Sequence, residues 1–153
     1  MNQFMKALVI AAITCLSAFG QSKEETMEFI TREIKSFETR WYLIREVSFS
    51  PGGDTFTIRR GVVGRPERSL VIPLKNVDIY AQRIRHGNGT ESWNLAVRCR
   101  GKDEPILVNN LSYNGTEHII GRIENKSQAM ALQRAFARLT TLATGRKELF
   151  ASP

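Results

Sequence analysis

The longest amphipathic segment of the chain lies near its C-terminal end, at residues 125–143. Its large apolar residues recur at helical intervals, and the stripe consists of Leu132, Phe136, Leu139 and Ala143. Residues at this spacing share one face of an α-helix, and that face has to be buried against another element. The preceding segments have the pattern of short strands, so the sequence predicts one helix that closes over a β-sheet or barrel.

A second helix is predicted at the start of the folded part of the chain, from about Lys23 to Phe37. The segment Ser22-Lys23-Glu24-Glu25 has the S-x-x-E form of a capping box, in which side chains satisfy the free N–H groups of the first helical turn. An apolar stripe at helical spacing follows and comprises Met27, Ile30, Ile34 and Phe37. We expect this stripe to contact the core of the domain rather than a partner.

Between the two helices the chain alternates between β-forming segments and turn residues. The alternation is clearest where Trp93, Leu95, Val97 and Cys99 occupy every second position. Seven strands are predicted: Arg40–Ser50, Thr55–Val63, Ser69–Pro73, Val77–His86, Glu91–Arg100, Pro105–Val108 and His118–Ile123. Turn signals every eight to twelve residues or so favour a meandering antiparallel sandwich or small barrel.

Three local features complete the predicted organisation. Pro73 indicates the end of a strand or a sheet edge, because proline cannot donate to a β-ladder. The polar segment Asn109–Thr116 is predicted to be a loop, and Gly145 is predicted to end the last helix. An alternative α+β arrangement stays open, in which a curved sheet cradles the N-terminal helix and a cavity lies between them.

The order of these elements resembles the pleckstrin-homology-like (PH-like) superfold, in which two hairpin-connected sheets are capped by a C-terminal helix. The resemblance covers about Arg40–Ala143, and Ile72–Asp78 is similar to a strand-to-strand joint common in its bacterial members. The segments Thr26–Ile34, Arg134–Leu139 and Lys147–Phe150 resemble those of small exported bacterial proteins of unassigned function. The resemblance implies an α+β fold, a seven-stranded antiparallel sandwich with an additional N-terminal helix. Because the superfold hosts lipid binders, peptide binders and scaffolds, it does not choose a function.

The N-terminal residues have the pattern of a secretory signal peptide. Met1–Lys6 is positively charged, Ala7–Ala18 is apolar but too short for a transmembrane span, and small residues favour cleavage near Gly20-Gln21. We therefore predict a periplasmic or secreted protein, divided into a signal peptide (1–20), an N-terminal helix (21–39), a PH-like domain (40–145) and a tail (146–153). Removal of the signal leaves Cys99 as the only cysteine, which predicts a buried thiol and no intramolecular disulfide.

The sequence contains few residues in patterns that support catalysis. It has no H-E-x-x-H motif, no paired cysteines and no G-x-S-x-G elbow, so nothing in it recommends a metal site or a serine hydrolase. His86 adjoins a Gly-Asn-Gly turn and His118 lies in a short predicted strand, where a structural role is expected for each. We therefore predict a non-enzymatic protein without a cofactor, and keep an enzyme that uses either histidine as a third hypothesis.

The formal net charge of +7 leaves two binding hypotheses. The first is an interaction module of the cell envelope, in which a protein partner adds a strand along a free edge at Ser69–Ile72, beside the helix face with Arg134 and Arg138. The second is a carrier or surface binder for an anionic ligand, such as a lipid headgroup or an acidic glycan. The basic residues behind it are Arg59, Arg60, Arg65 and Arg68, with Arg83, Arg85, Arg98 and Arg100 further along the chain. No nucleic-acid-binding motif is present, so nucleic acid is not expected as a partner.

Overall fold

The computed structural model describes residues 22–37, 42–100, 105–113 and 117–145. The predicted signal peptide, its cleavage site and the C-terminal tail lie outside these ranges. The described residues form two helices and eight strands: α1 (Lys23–Lys35), β1 (Tyr42–Phe49), β2 (Thr55–Val62), β3 (Arg68–Pro73), β4 (Val77–Arg85), β5 (Glu91–Cys99), β6 (Ile106–Val108), β7 (Leu111–Tyr113), β8 (Glu117–Ile123) and α2 (Lys126–Thr144).

The strands form two antiparallel sheets. The larger sheet has the order β1-β2-β3-β6-β7, and the smaller has the order β4-β5-β8. The chain passes from the first sheet to the second through a short 3₁₀ helix, Leu74–Asn76, directly after Pro73. This confirms an α+β fold with antiparallel sheets and a C-terminal helix, and it confirms Pro73 as a strand end. The chain returns to the larger sheet at β6, so the connections are not one continuous meander.

All seven predicted strands are present, and an eighth forms where a loop was predicted. β7 lies within Asn109–Thr116 and pairs antiparallel with β6, so that Val108 faces Leu111. The turn consists of Asn109 and Asn110, which both have positive φ angles of 50° and 65°. Asparagine tolerates this conformation better than most residues, and two such residues make a tight hairpin turn. The prediction of a loop was wrong because it rested on the polar composition of the segment and did not consider that two consecutive asparagines favour a hairpin turn.

Both helices begin, and α2 ends, at the residues that the sequence indicates, whereas α1 ends at Lys35, two residues before the predicted Phe37. Ser22 and Glu25 form the capping box of α1, with Glu25 N–H donating to Ser22 Oγ at 3.1 Å. Asn125 caps α2, because its Oδ1 accepts from the N–H of Ser127 at 2.8 Å. Gly145 ends α2 with a φ of 65°, a left-handed conformation that glycine adopts without steric cost.

The core lies between the inner faces of the two sheets, and α2 closes it. Phe56 is fully buried and its ring centroid lies 5.2 Å from that of Phe136, in a T-shaped arrangement. Ile30 and Ile34 of α1 belong to the same core cluster. α1 packs against α2 and β1, so the alternative in which a curved sheet cradles this helix is not the arrangement observed.

The predicted free edge at Ser69–Ile72 is an interior part of the larger sheet. β3 pairs with β2 on one side and with β6 on the other, where Leu70 faces Val108 and Val71 faces Leu107. The prediction was wrong because the partner strand lies some 37 residues further along the chain, beyond the reach of local pattern. Strand addition at this segment would therefore have to displace a native strand.

Candidate functional site

Four of the arginines singled out from the sequence lie on one hairpin. β2 carries Arg59 and Arg60, the connecting turn carries Arg65, and β3 begins with Arg68. Arg60 and Arg68 are direct cross-strand partners. Side chains in such positions have Cβ atoms about 4.5–5.5 Å apart, and like charges directly opposite each other are unfavourable. The hairpin therefore concentrates positive charge that a bound anion would relieve.

Two of these arginines are committed to contacts within the protein. Arg59 lies on the outer face and pairs with Glu46 of β1 at 3.7 Å. Arg60 lies on the inner face, and its guanidinium donates to the backbone carbonyl of Ile119 in β8. This second contact ties the hairpin to the smaller sheet. Both residues therefore have structural roles as well as contributing charge.

Arg65 and Arg68 are exposed and have no carboxylate partner within the described ranges. The acid nearest to them in the chain, Glu67, accepts from Arg45 Nε at 3.0 Å. Surface charges that are not paired remain available to an external ligand. Arg65 and Arg68 are thus the two exposed arginines of the hairpin that have no carboxylate partner in the described part of the chain.

His118 lies beside this charge and adds none at neutral pH. It is partly buried on β8, opposite Val97. Burial lowers the pKa of its imidazole below the ordinary value, and the nearby charge of Arg68 lowers it further. The neutral form is therefore favoured, which does not support His118 as a cationic ligand contact.

Exposed apolar residues occur at the same end of the larger sheet. Among the described residues the exposed large hydrophobic side chains are Val62 (42 %), Val63 (53 %), Leu111 (63 %) and Leu142 (51 %). The two valines form the end of β2 and the start of the turn. Leu111 follows the β6–β7 turn, which adjoins the start of β3. Three of the four exposed apolar side chains thus lie at the arginine-bearing end.

Two hydrogen bonds hold the β6–β7 turn, which precedes Leu111, close to the start of β3. Asn109 N–H donates to the carbonyl of Ser69 at 2.9 Å, and Ser69 N–H donates to Asn109 Oδ1 at 2.8 Å. We define the hairpin end as Val62, Val63, Arg65, Arg68 and Leu111. Its apolar members were missed from the sequence, although the run Gly61-Val62-Val63-Gly64 places two apolar residues where turn residues are usually small or polar.

The arginines of the smaller sheet are neutralised locally or face acids. Arg83 pairs with Glu91, and Arg85 lies 3.7 Å from the same carboxylate. The hydrogen bond from Arg83 holds the pKa of Glu91 below its ordinary value. Arg100 Nε donates to Asp78 at 2.6 Å. The structure therefore does not bring these side chains into one patch with the hairpin.

Arg98 lies on the exposed face of β5, between acidic residues of both neighbouring strands. Its cross-strand partners are Asp78 and Glu117. The carboxylate of Glu117 also accepts a hydrogen bond from the Tyr80 hydroxyl, which raises the pKa of that hydroxyl above its ordinary value. This row has two carboxylates and one guanidinium, so it offers no concentrated site for an anion.

Arg134 and Arg138 lie on α2, away from the hairpin end. α2 contacts the 3₁₀ helix Leu74–Asn76, which follows the opposite end of β3. Six strand residues span about 20 Å, so the two ends of β3 are well separated. The six arginines singled out from the sequence as contacts for a ligand or partner therefore lie in two places, four on the hairpin and two on α2.

His86 forms a cluster with Ser92 and Arg122 on the smaller sheet. Its Nε2 lies 2.9 Å from Ser92 Oγ and 3.0 Å from Arg122 Nη2. Because arginine can only donate, His86 Nε2 has to accept from Arg122. The lone pair of Nε2 is therefore occupied by a hydrogen bond from a guanidinium group. Ser92 is only 2 % exposed. This geometry links the β4–β5 turn to β5 and β8 and does not present a serine nucleophile to a substrate.

Other features of the described residues give no stronger site. A shallow depression of about 360 Å³ is lined by Lys75, Asn76, Ala143 and Thr144. Within the same ranges no group of three or more His, Cys, Asp or Glu side chains could hold a metal ion. No helix in the described part of the chain has the length and apolar character needed to cross a bilayer.

No protein-family model matches the chain, and no curated protein or solved structure matches it significantly. The choice of the hairpin end as the candidate site therefore rests on its own geometry and charge.

Proposed function

We propose that the protein is a non-enzymatic binding module of the bacterial cell envelope, and that it binds an anionic ligand at the hairpin end. The ligand carries the chemistry of a lipid headgroup or an acidic glycan. The observation that carries the proposal is the placement of Arg65 and Arg68. Both are exposed and have no carboxylate partner in the described part of the chain. Arg68 is also the cross-strand partner of Arg60, which adds a third positive charge nearby.

Location in the envelope is part of the proposal. A charged N-terminus, an apolar run and small residues before Gln21 support export and cleavage. Cell-surface and envelope polymers of bacteria are rich in phosphate and carboxylate groups, to which a strongly basic exported domain is attracted. Fractionation of cells that express the chain, with sequencing of the mature N-terminus, tests this point. A protein that keeps its first 20 residues in the cytoplasm would contradict it.

The proposed PH-like classification rests on the two antiparallel sheets and the closing C-terminal helix. The exchange of strands between the sheets at β4, β6 and β8 is a departure from two consecutive meanders. An experimental structure superposed on PH-like domains tests the classification. A different strand order over the superposed core would exclude it.

Recognition by side chains at the hairpin end is better supported than strand addition. β3 is an interior strand. At the outer edge of β4, the N–H of Ala81 donates to Gln133 Oε1 of α2 at 2.7 Å. This bond occupies one backbone donor of the β4 edge, which makes that part of the edge less available to another chain. A partner protein is therefore kept as an outcome of the binding experiment, not as the leading ligand.

The test compares two double variants of the protein, purified as the cell processes it. Arg65→Ser/Arg68→Ser removes two charges at the hairpin end, and Arg85→Ser/Arg134→Ser removes two exposed charges elsewhere. Binding is measured to heparin, as a soluble polyanion, and to vesicles of equimolar phosphatidylglycerol and phosphatidylcholine. We expect the hairpin variant to bind both at least about tenfold more weakly, and salt to weaken wild-type binding steeply.

The control variant should retain wild-type affinity, because the two charges that it loses lie away from the hairpin end. Its net charge equals that of the hairpin variant, so a difference between them reports the location of the charges. Equal losses in the two would show attraction by total charge and would contradict a site at the hairpin end. If the wild type binds neither heparin nor the vesicles, the proposed function is wrong.

A further inference from the structure

We infer that the hairpin end docks on the surface of an anionic lipid bilayer and that Val62 and Val63 insert among the headgroups. This inference rests on the proposed function and narrows its anionic ligand to a membrane surface. A soluble glycan would satisfy Arg65 and Arg68 alone. The exposed valines distinguish the two ligands, because only a bilayer offers an apolar region directly beneath its charges.

Val62 and Val63 are 42 % and 53 % exposed, at the end of β2 and the start of the turn that follows it. Single exposed apolar residues are common on protein surfaces, but two adjacent ones at the tip of a hairpin form a small apolar projection. Glycines flank them, and Gly64 has a φ of 80° with open space around it. The tip therefore projects from the domain.

The charges lie where a docked hairpin needs them. Arg65 follows the valines in the same turn, and Arg68 begins the strand behind it. Arginine has a long apolar stem and a terminal cation, so it can extend along an inserted tip and reach phosphate oxygens. An apolar tip with cations just behind it matches the order of layers in an anionic bilayer, where hydrocarbon lies beneath phosphate.

The hairpin is held firmly enough to present its tip. β2 and β3 pair over six residues, from Thr55 with Pro73 to Arg60 with Arg68. Arg60 joins this hairpin to Ile119 of the smaller sheet. The base of the hairpin is therefore held by the sheet and by β8, so docking at the tip leaves the core as it is.

The β1–β2 hairpin is not equipped in the same way. Lys23 of α1 donates to the carbonyl of Gly52, and a Cβ at Gly53 would come within 2.8 Å of Met27 Sδ. This turn therefore packs against α1. It also carries Asp54, and a hydrogen bond from Ser50 lowers the pKa of its carboxyl group. An anionic turn covered by a helix does not fit a negatively charged surface.

Leu111 widens the apolar part of the hairpin end. It is 63 % exposed and lies beyond the turn that bonds to Ser69. β7 is two strands away from β3, or about 10 Å at the usual strand spacing. Its contact with the bilayer would be peripheral, and the two valines would make the principal insertion.

The experiment replaces the apolar tip and keeps the charges. Val62→Ser/Val63→Ser is compared with Leu142→Ser, which removes an exposed apolar side chain from α2. Binding is measured to the phosphatidylglycerol and phosphatidylcholine vesicles and to heparin. We expect the tip variant to lose about tenfold in affinity for vesicles and to keep wild-type affinity for heparin. Leu142→Ser should bind both probes as the wild type does.

A direct readout of insertion comes from Val63→Trp. In a Trp41→Phe background, which leaves Trp93 as the only native tryptophan, its indole fluorescence should be quenched by vesicles that contain brominated acyl chains, whereas that of the buried Trp93 should be unaffected. Both the tip variant and the tryptophan variant replace exposed side chains, so thermal unfolding should remain close to that of the wild type.

The outcomes separate the two proposals. If the tip variant binds vesicles like the wild type, or if Val63→Trp is not quenched, insertion is overturned while Arg65 and Arg68 can still define an anionic site. If the wild type binds heparin but no vesicles, the ligand is a soluble or surface polyanion and the inference fails. If it binds neither, the proposed function fails with it.

Discussion

At the scale of single residues, Phe37, two residues after the end of α1, lies against Gly121 of β8. A Cβ added at Gly121 would lie 2.8 Å and 3.1 Å from two ring carbons of Phe37. Phe37 is buried, so its ring has little space to move. Glycine is thus needed here for packing, since its backbone conformation is available to other residues.

We therefore expect Gly121→Ala to lower the free energy of unfolding by about 1–3 kcal/mol, because overpacking moves side chains or backbone. Urea denaturation measures the change. Gly87→Ala is the matched control, since a Cβ there has no atom within 4 Å, and it should be nearly neutral. In a Phe37→Ala background the methyl group has room, so Gly121→Ala should cost much less there. Equal costs in the two backgrounds would contradict the contact.

His118 gives the stability of the domain a predicted pH dependence. Its pKa in the folded protein is lowered by burial and by Arg68, so the unfolded chain binds a proton more readily. Stability is therefore fully present above the ordinary histidine pKa of about 6.5 and declines as the pH falls below that value. Chemical denaturation between pH 7.5 and pH 5 should show this decline.

His118→Gln should make that part of the stability profile flatter, because glutamine does not titrate. Arg68→Ser should raise the pKa of His118 toward its ordinary value, as followed by NMR titration of the imidazole. An unchanged pKa in that variant would show that Arg68 does not act on His118. An identical pH profile in His118→Gln would assign the decline to other groups.

At the scale of elements, α2 has a defined beginning that local chemistry specifies. Asn125 Oδ1 accepts from Ser127 N–H at 2.8 Å and from Gln128 N–H at 3.3 Å. Asn125→Ala should destabilise the protein by about 1 kcal/mol, because two N–H groups lose their acceptor. Thermal denaturation measures the effect, and Ser127→Ala is the control on the same turn. A neutral Asn125→Ala would mean that water replaces the cap without cost.

The elements that could be predicted from the sequence are those set by local pattern. Alternation from Trp93 to Cys99 and the stripe from Leu132 to Ala143 each identify an element without knowledge of its partner. The pairing of β3 with β6 could not be predicted in this way. It brings together residues that lie far apart in the chain, and several registers are compatible with the same alternation.

The same distinction applies to the candidate site. The four arginines of the hairpin lie within a segment of ten residues, 59–68. One hairpin therefore brings them together, whatever the rest of the fold. Arg134 and Arg138 belong to a separate element, and their distance from the hairpin depends on tertiary packing. Val62 and Val63 were not predicted because exposure of an apolar residue is decided by what covers it.

At the scale of the whole molecule, α2 and the hairpin end have separate tasks. Phe136 is fully buried against Phe56, whereas the hairpin end is fastened to β8 by Arg60. Gln128 of α2 also donates to Glu33 and Ser36 at 3.0 Å, which joins the two helices. The closing helix therefore supports the core, while the proposed ligand contacts lie at the other end of β3.

Truncation of the closing helix's central aromatic tests this division. Phe136→Ala should lower the free energy of unfolding by about 3–5 kcal/mol, because it removes a buried ring and leaves a cavity beside Phe56. Leu142→Ala, on an exposed position of the same helix, should be nearly neutral in urea denaturation. Phe136→Leu keeps most of the apolar volume and should remain folded. The substituted position lies away from Arg65 and Arg68, so Phe136→Leu should bind anionic vesicles with wild-type affinity. A tenfold loss of affinity in this folded variant would place α2 in the binding surface.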